Sequence, residues 1–135
     1  MDLQKLDDAL LAVFEKRVEL SQLTYDSENY DDVEEELHDL EDDFNEEFGD
    51  YIEKALHEVH QEYCPESDVL LPTAYIAKKF IELPDGSIEI GKKEGVEVEL
   101  ESDPANGGRL VLLPTPTRIV LMYGKTKSVV WQAAN

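Results

Sequence analysis

The chain has 135 residues, of which 41% are apolar and 33% charged, and its formal net charge is −20. A chain of this length buries roughly two-thirds of its unfolded surface, so a single domain over residues 1–135 is expected. The acidic balance argues against direct binding of nucleic acid, which depends largely on Lys and Arg, and no apolar run is long enough to cross a bilayer.

The first predicted element is an amphipathic helix over residues 2–24. Its apolar residues recur at three-and-four spacing, and no Gly or Pro interrupts them, which is the pattern of a helix with one buried face. These apolar residues are Leu3, Leu6, Leu10, Val13, Phe14 and Leu20.

A second helix is predicted over residues 29–63, with Asn29 or Ser27 as its N-cap and Cys64 before Pro65 as its end. A straight helix of that length would measure about 52 Å, whereas a compact domain of this size has a radius of gyration of about 14 Å. The helix is therefore expected to be bent or broken near Gly49. Its apolar stripe comprises Val33, Leu37, Leu40, Phe44, Phe48, Ile52, Leu56, Val59 and Tyr63.

After Pro72 the apolar pattern changes from helical spacing to alternation, which is typical of strands. Residues 74–83 fit either a helix or a strand, and a strand is predicted for their second half. The predicted sequence of elements is then two short strands around a turn in 80–90, an alternating strand at 96–101, a loop at 102–108, central strands at 109–113 and 118–123, and a last strand at 128–132.

Helices that precede strands along a chain indicate an α+β fold. We expect an N-terminal helical hairpin, residues 1–64, packed on a C-terminal antiparallel β-meander of about four to six strands, residues 73–132. The charge follows the same division, because residues 1–68 carry the whole net charge of −20 and residues 69–135 are formally neutral.

Acidic residues of the second helix fall on the side opposite its apolar stripe. The candidate partner-binding residues are Asp31, Glu35, Asp39, Asp42 and Glu46. The helix also contains eight like-charge pairs at i,i+4 spacing, and each such pair costs about 0.2 to 0.5 kcal/mol. An ordinary solvated face mixes charges and avoids this cost. We therefore expect a non-enzymatic interaction module that holds a basic protein surface, as an inhibitor, an immunity-type protein, a chaperone or a nucleic-acid mimic.

The second helix also contains residue types that bind zinc, namely Glu53, His57, His60 and Cys64. They occupy about a 60° arc, but His57 and Cys64 are separated by about 10.5 Å of helix rise. One helix cannot close a tetrahedral site over that span, so no metal or other cofactor is expected. A metal-dependent enzyme or sensor built on these residues is the alternative function, together with an acidic domain that acts through a pocket not evident from the sequence.

Six lysines in the β half could lie at strand edges and turns, where they keep the protein soluble, or they could dock onto the acidic helix. They are Lys78, Lys79, Lys92, Lys93, Lys125 and Lys127. A single cysteine, Cys64, and an acidic N-terminus without signal-peptide features favour a cytoplasmic location. No membrane partner is expected, and a homodimer remains open.

Overall fold

The computed structural model describes residues 2–77, 80–82, 84, 88–91 and 93–134, with the backbone alone for 80–82, 88 and 89. Helix α1 spans Leu3–Ser21 and helix α2 spans Tyr30–Tyr63. A 3₁₀ turn, Pro72–Tyr75, follows them. The strands are β1 (Phe80–Glu82), β2 (Ile88–Ile90), β3 (Val96–Leu100), β4 (Asp103–Leu113), β5 (Arg118–Tyr123) and β6 (Thr126–Gln132).

Strands β3 to β6 form one antiparallel sheet in chain order, and β1 pairs with β2 in a separate two-stranded sheet. The predicted α+β fold, a helical hairpin followed by an antiparallel meander, is confirmed. So is the strand predicted for the second half of residues 74–83. The predictions for Lys78, Lys79 and Lys92, and for Asp85 and Gly86 of the turn predicted at residues 84–86, lie outside the described residues.

The ends of the two helices follow from local chemistry. Asp2 caps α1, because its Oδ1 accepts hydrogen bonds of 3.1 Å from the backbone N–H groups of Gln4 and Lys5. Asn29 occupies the N-cap position of α2 without a side-chain bond to the helix. Cys64 ends α2 as predicted, since the following proline disfavours helical geometry at that residue.

Helix α2 runs without a break through Gly49, so of the two outcomes expected there the break is excluded, whereas the bend stays a prediction. The apolar stripe continues on both sides, where Phe48 and Ile52 are both buried. An unbroken helix of 34 residues, about 51 Å along its axis, is accommodated because it packs against different elements along its length. Its first half lies against α1. Farther along, Tyr51 packs on Trp131 of β6 with ring centroids 5.8 Å apart.

The predicted loop at residues 102–108 is also wrong, because β4 begins at Asp103. Asp103 pairs with Leu100 of β3, and the ladder resumes where Gly108 pairs with Val98, so the residues between form an irregularity in the strand. The Asn106 amide donates to the Asp103 carboxylate over 3.0 Å, which satisfies polar groups locally. Residue types that usually form a turn are thus found inside a strand. The strand accommodates them in a bulge and continues.

The centre of the sheet is buried on both faces. Residues 110–113 of β4 and 119–122 of β5 are all at most 7% exposed, although successive side chains point to opposite sides. This agrees with their prediction as central strands. A charged side chain at any of these eight positions would be buried at a high cost in free energy.

Two polar side chains of α1, Arg17 and Asp7, form hydrogen bonds that join the helical and β halves. Arg17 donates from Nη1 to the Ile76 carbonyl over 2.7 Å and from Nη2 to the Thr73 carbonyl over 2.8 Å. Near the other end of α1, Asp7 Oδ1 accepts from the backbone N–H of Thr115 at 2.9 Å and from the Thr117 hydroxyl at 2.8 Å. The helical hairpin is therefore attached to the β half by hydrogen bonds as well as by apolar packing.

Candidate functional site

The outward face of α2 carries a row of carboxylates, which we call the acidic stripe. At 100° per residue its members fall within about an 80° arc, centred opposite the buried side of the helix. All five are exposed to solvent. They are Asp31, Glu35, Asp39, Asp42 and Glu46.

Carboxylates at the margins of the buried side of α2 behave differently, because α1 supplies them with cations. Lys16 Nζ lies 2.7 Å from Glu36 Oε2 and 2.9 Å from Glu19 Oε2. Hydrogen bonds to Glu36 and Glu19 raise the pKa of Lys16. Arg17 Nη2 lies 3.4 Å from Glu41 Oε1 across the other margin. The two ion pairs across the hairpin thus bracket the helix-helix contact.

Within the described residues, no member of the acidic stripe forms an ion pair or a side-chain hydrogen bond. Lys93, Lys125 and Lys127 are described, and none of them pairs with α2. These three lysines therefore do not dock onto the acidic helix. The stripe is left with its full negative charge in the part of the chain that the structure describes.

The four candidate metal ligands on α2 do not share one site. His57 is exposed, with Nε2 3.6 Å from Glu53 Oε1. Cys64 is fully buried, and burial raises the pKa of its thiol to about 11, so the thiolate that binds metal is disfavoured. No group of three or more His, Cys, Asp or Glu residues suited to a metal occurs among the described residues.

His60 lies in a polar network inside the molecule. It is 3% exposed, and burial lowers the pKa of its imidazole. Nδ1 lies 3.0 Å from the Ser67 carbonyl and Nε2 lies 2.8 Å from the Tyr75 hydroxyl. The hydroxyl oxygen in turn accepts from the Leu70 N–H over 3.0 Å. A neutral ring with its proton on Nδ1 satisfies every partner, so His60 orders the segment that follows α2.

Tyr75 is the member of this network that the sequence did not single out. Its side chain is fully buried in the 3₁₀ turn, 15 residues from His60, and burial raises the pKa of its phenol. The sequence offered no periodic signal, because residues 74–83 fit a helix or a strand equally well. A buried tyrosine needs a partner for its hydroxyl, which was the one available clue.

In the part of the chain that the structure describes, no helix is both long and apolar enough to cross a membrane. Comparison of the chain with models of protein families, with curated proteins and with solved structures found no match.

Proposed function

We propose that this protein is a non-enzymatic interaction module, and that the acidic stripe of α2 binds a basic surface of another protein in the cytoplasm. The observation that carries the proposal is the contrast between the two sides of α2. Glu36 and Glu41 are neutralised by α1, whereas all five carboxylates of the stripe are exposed and lack an ion pair within the described residues.

Repulsion along the helix supports the same conclusion. Eight i,i+4 pairs of like charge together cost roughly 2 to 4 kcal/mol before salt screening. Mixed charges on the same exposed positions would avoid this cost without affecting the apolar stripe. A cationic partner would relieve the repulsion on binding, since each contact would place a positive charge beside carboxylates that repel one another.

The charge density suggests what the partner's surface normally binds. Thirteen carboxylates between Asp31 and Glu53 occupy about 34 Å of helix, about one per 2.6 Å. Duplex DNA presents about one charge per 1.7 Å of its axis. A basic groove that binds nucleic acid is thus one surface that could accept α2 in its place, and such association would be fast and strongly weakened by salt.

The test uses a variant in which Glu35, Asp39, Asp42 and Glu46 become Gln or Asn. Partners captured by the wild-type chain from its native lysate are identified, and their dissociation constants are measured at low and physiological salt. We expect a basic partner whose binding to the wild type weakens with salt and is lost in the variant.

A matched control removes the same number of charges elsewhere. Glu58, Glu62, Glu99 and Glu101 are exposed and lie outside the stripe, so their replacement by Gln changes the net charge equally. The control variant should retain the partner. If the stripe variant also retains every partner of the wild type, the stripe is only a solvated face and the proposal is wrong.

A further inference from the structure

A groove of about 660 Å³ opens in the β half beside the β5–β6 turn. Sites for small ligands span roughly 300 to 1,000 Å³, so its volume suits one. The described lining comes from β3, β4, β5, β6, the end of β2 and the β5–β6 turn. Its charged and aromatic members are Glu97, Arg109, Tyr123, Lys125 and Lys127.

The lining is cationic in a chain that is strongly acidic overall. Three basic residues, Arg109, Lys125 and Lys127, face one acid, Glu97, among the described lining residues. Lys125 and Lys127 form no ion pair within the described part of the chain. The Debye length at physiological salt is about 8 Å, so carboxylates of the helical half that lie farther than this from the groove are largely screened there.

Arg109 is held in a fixed position by backbone carbonyls. Its Nε donates to the Glu94 carbonyl over 3.0 Å, and its Nη2 donates to the Lys93 carbonyl over 2.9 Å and to the Gly95 carbonyl over 3.3 Å. Carbonyls orient a guanidinium without cancelling its charge. Its described carboxylate contact, to Glu97, is long at 3.9 Å, and the Glu97 side chain is 82% exposed.

The groove also offers apolar surface. Ile90 and Met122 are nearly buried beneath it, while Tyr123 is 43% exposed at its side. Gly108 allows close packing of the strands behind the groove, because a Cβ at that position would lie 3.0 Å from both Leu100 Cδ1 and the Met122 carbonyl oxygen. A cationic rim around apolar and aromatic surface suits a ligand that is anionic at one end and apolar at the other.

We infer that this groove binds a small organic anion, with a phosphate or carboxylate held by Lys125, Lys127 and Arg109 and an aromatic body against Tyr123. The site is separate from the acidic stripe and does not depend on the function proposed for it. Lysines that only protect the edge strand β6 from pairing with other chains would give no saturable binding and no preference for an aromatic anion.

The experiment is an NMR titration of the isotope-labelled chain with phenyl phosphate, benzoate and inorganic phosphate, each at constant ionic strength. We expect saturable shifts at the amides of Gly107, Gly108 and Gly124, with phenyl phosphate or benzoate bound more tightly than inorganic phosphate. The order of phenyl phosphate and benzoate identifies the anionic group. Shifts that fail to saturate at millimolar ligand, or that follow protein concentration through self-association, would overturn the inference.

Variants assign the binding to the groove. Lys125→Gln with Lys127→Gln should weaken phenyl phosphate by roughly tenfold or more, the loss typical of charge-assisted bonds. The matched control, Lys5→Gln with Lys54→Gln, removes two exposed lysines elsewhere and should bind like the wild type. Equal weakening in both double variants would attribute the effect to net charge and overturn the inference.

A third variant tests the aromatic contact. Tyr123→Ala should weaken phenyl phosphate severalfold, because stacking on an aromatic side chain is lost, and should leave inorganic phosphate unchanged. The dispersion of the amide spectrum reports whether each variant is folded. Equal effects on both ligands would show that the ring does not contact the body of the anion.

Discussion

The helical half and the β half are stabilised in different ways. In the helical half each element buries one side, and the other side of α2 carries carboxylates at a density that opposes folding. In the β half the two central strands bury both faces, and acids and bases are equal in number over residues 69–135. A dense row of charge is possible in this protein only where an element keeps one side in solvent.

The largest expected effect tests the burial of the central strands. Leu112→Ala in β4 should lower the free energy of unfolding by about 2 to 5 kcal/mol, because Leu112 is fully buried and its loss leaves a cavity. Denaturant unfolding measures the change. A loss below about 1 kcal/mol would mean that the sheet is covered less completely than the burial of its residues indicates.

The contact between the two halves is tested at Arg17. Arg17→Met keeps most of the apolar stem but removes the donors to the Thr73 and Ile76 carbonyls. Hydrogen bonds to a charged group contribute about 1.5 to 3 kcal/mol each, and we expect a combined loss of about 2 to 4 kcal/mol. As a control, Lys16→Met removes a more exposed cation of α1 and should cost less. Equal losses would show that Arg17 acts only through its charge.

Removal of charge from the acidic stripe should stabilise the helical half. The variant with Glu35, Asp39, Asp42 and Glu46 replaced by Gln or Asn loses five of the eight like-charge pairs. The expected gain is about 1 to 2.5 kcal/mol at low salt, and it should shrink as salt is added. Thermal unfolding over a salt series measures it. An unchanged or lower stability at low salt would contradict the account of repulsion along α2.

A smaller gain is expected at Gly49. A Cβ built at this residue meets only Asn45 Cβ, at 4.0 Å, which is an ordinary contact. Gly49→Ala should therefore stabilise the protein by about 0.5 to 1 kcal/mol, because alanine loses less backbone freedom in a helix. Denaturant unfolding is sensitive enough for this change. Destabilisation would indicate that α2 needs the flexibility of glycine at this position.

The smallest expected effect is a pH dependence caused by His60. Burial lowers the pKa of its imidazole below the ordinary 6.5, despite the Ser67 carbonyl and Asp68, which act in the opposite direction. Well above pH 6.5 neither the folded nor the unfolded chain is protonated at this residue, and its contribution to stability is complete. As the pH falls below 6.5, the unfolded state binds more protons and the contribution declines until the lower folded pKa is passed.

His60→Gln removes this titration. The difference in unfolding free energy between the wild type and the variant should therefore shrink as the pH falls below about 6.5. His57→Gln, a change at an exposed histidine of the same helix, serves as the control. An NMR titration of the His60 ring measures the pKa directly. A pKa at or above 6.5 would contradict the effect ascribed to burial.

Most of the fold was predictable because it depends on periodicity. The stripes of α1 and α2, the proline after Cys64 and the apolar runs of β4 and β5 each specify an element through local pattern. Two features did not follow from periodicity. The start of β4 depends on pairing with Leu100, and the continuity of α2 at Gly49 depends on packing against other elements along its length.

The candidate sites were predictable to different degrees. Exposure of the acidic stripe follows from helical spacing, so its five residues could be named from the sequence. The hydrogen-bonding partners of His60 could not, because Tyr75 and Leu70 belong to a segment without periodicity. The groove at Lys125 and Lys127 is built from several strands, and a single sequence carries no signal that brings Arg109 beside them.

The order of the strands has a consequence for the rate of folding. The meander β3 to β6 pairs only strands that are consecutive in the chain, and α1 packs on the helix that follows it. Loops that close over short distances lose little entropy, and proteins rich in such contacts fold quickly. The bond from Thr117 to Asp7 spans 110 residues. Docking of α1 on the β4–β5 turn should therefore be the late step, after each half has acquired its own structure.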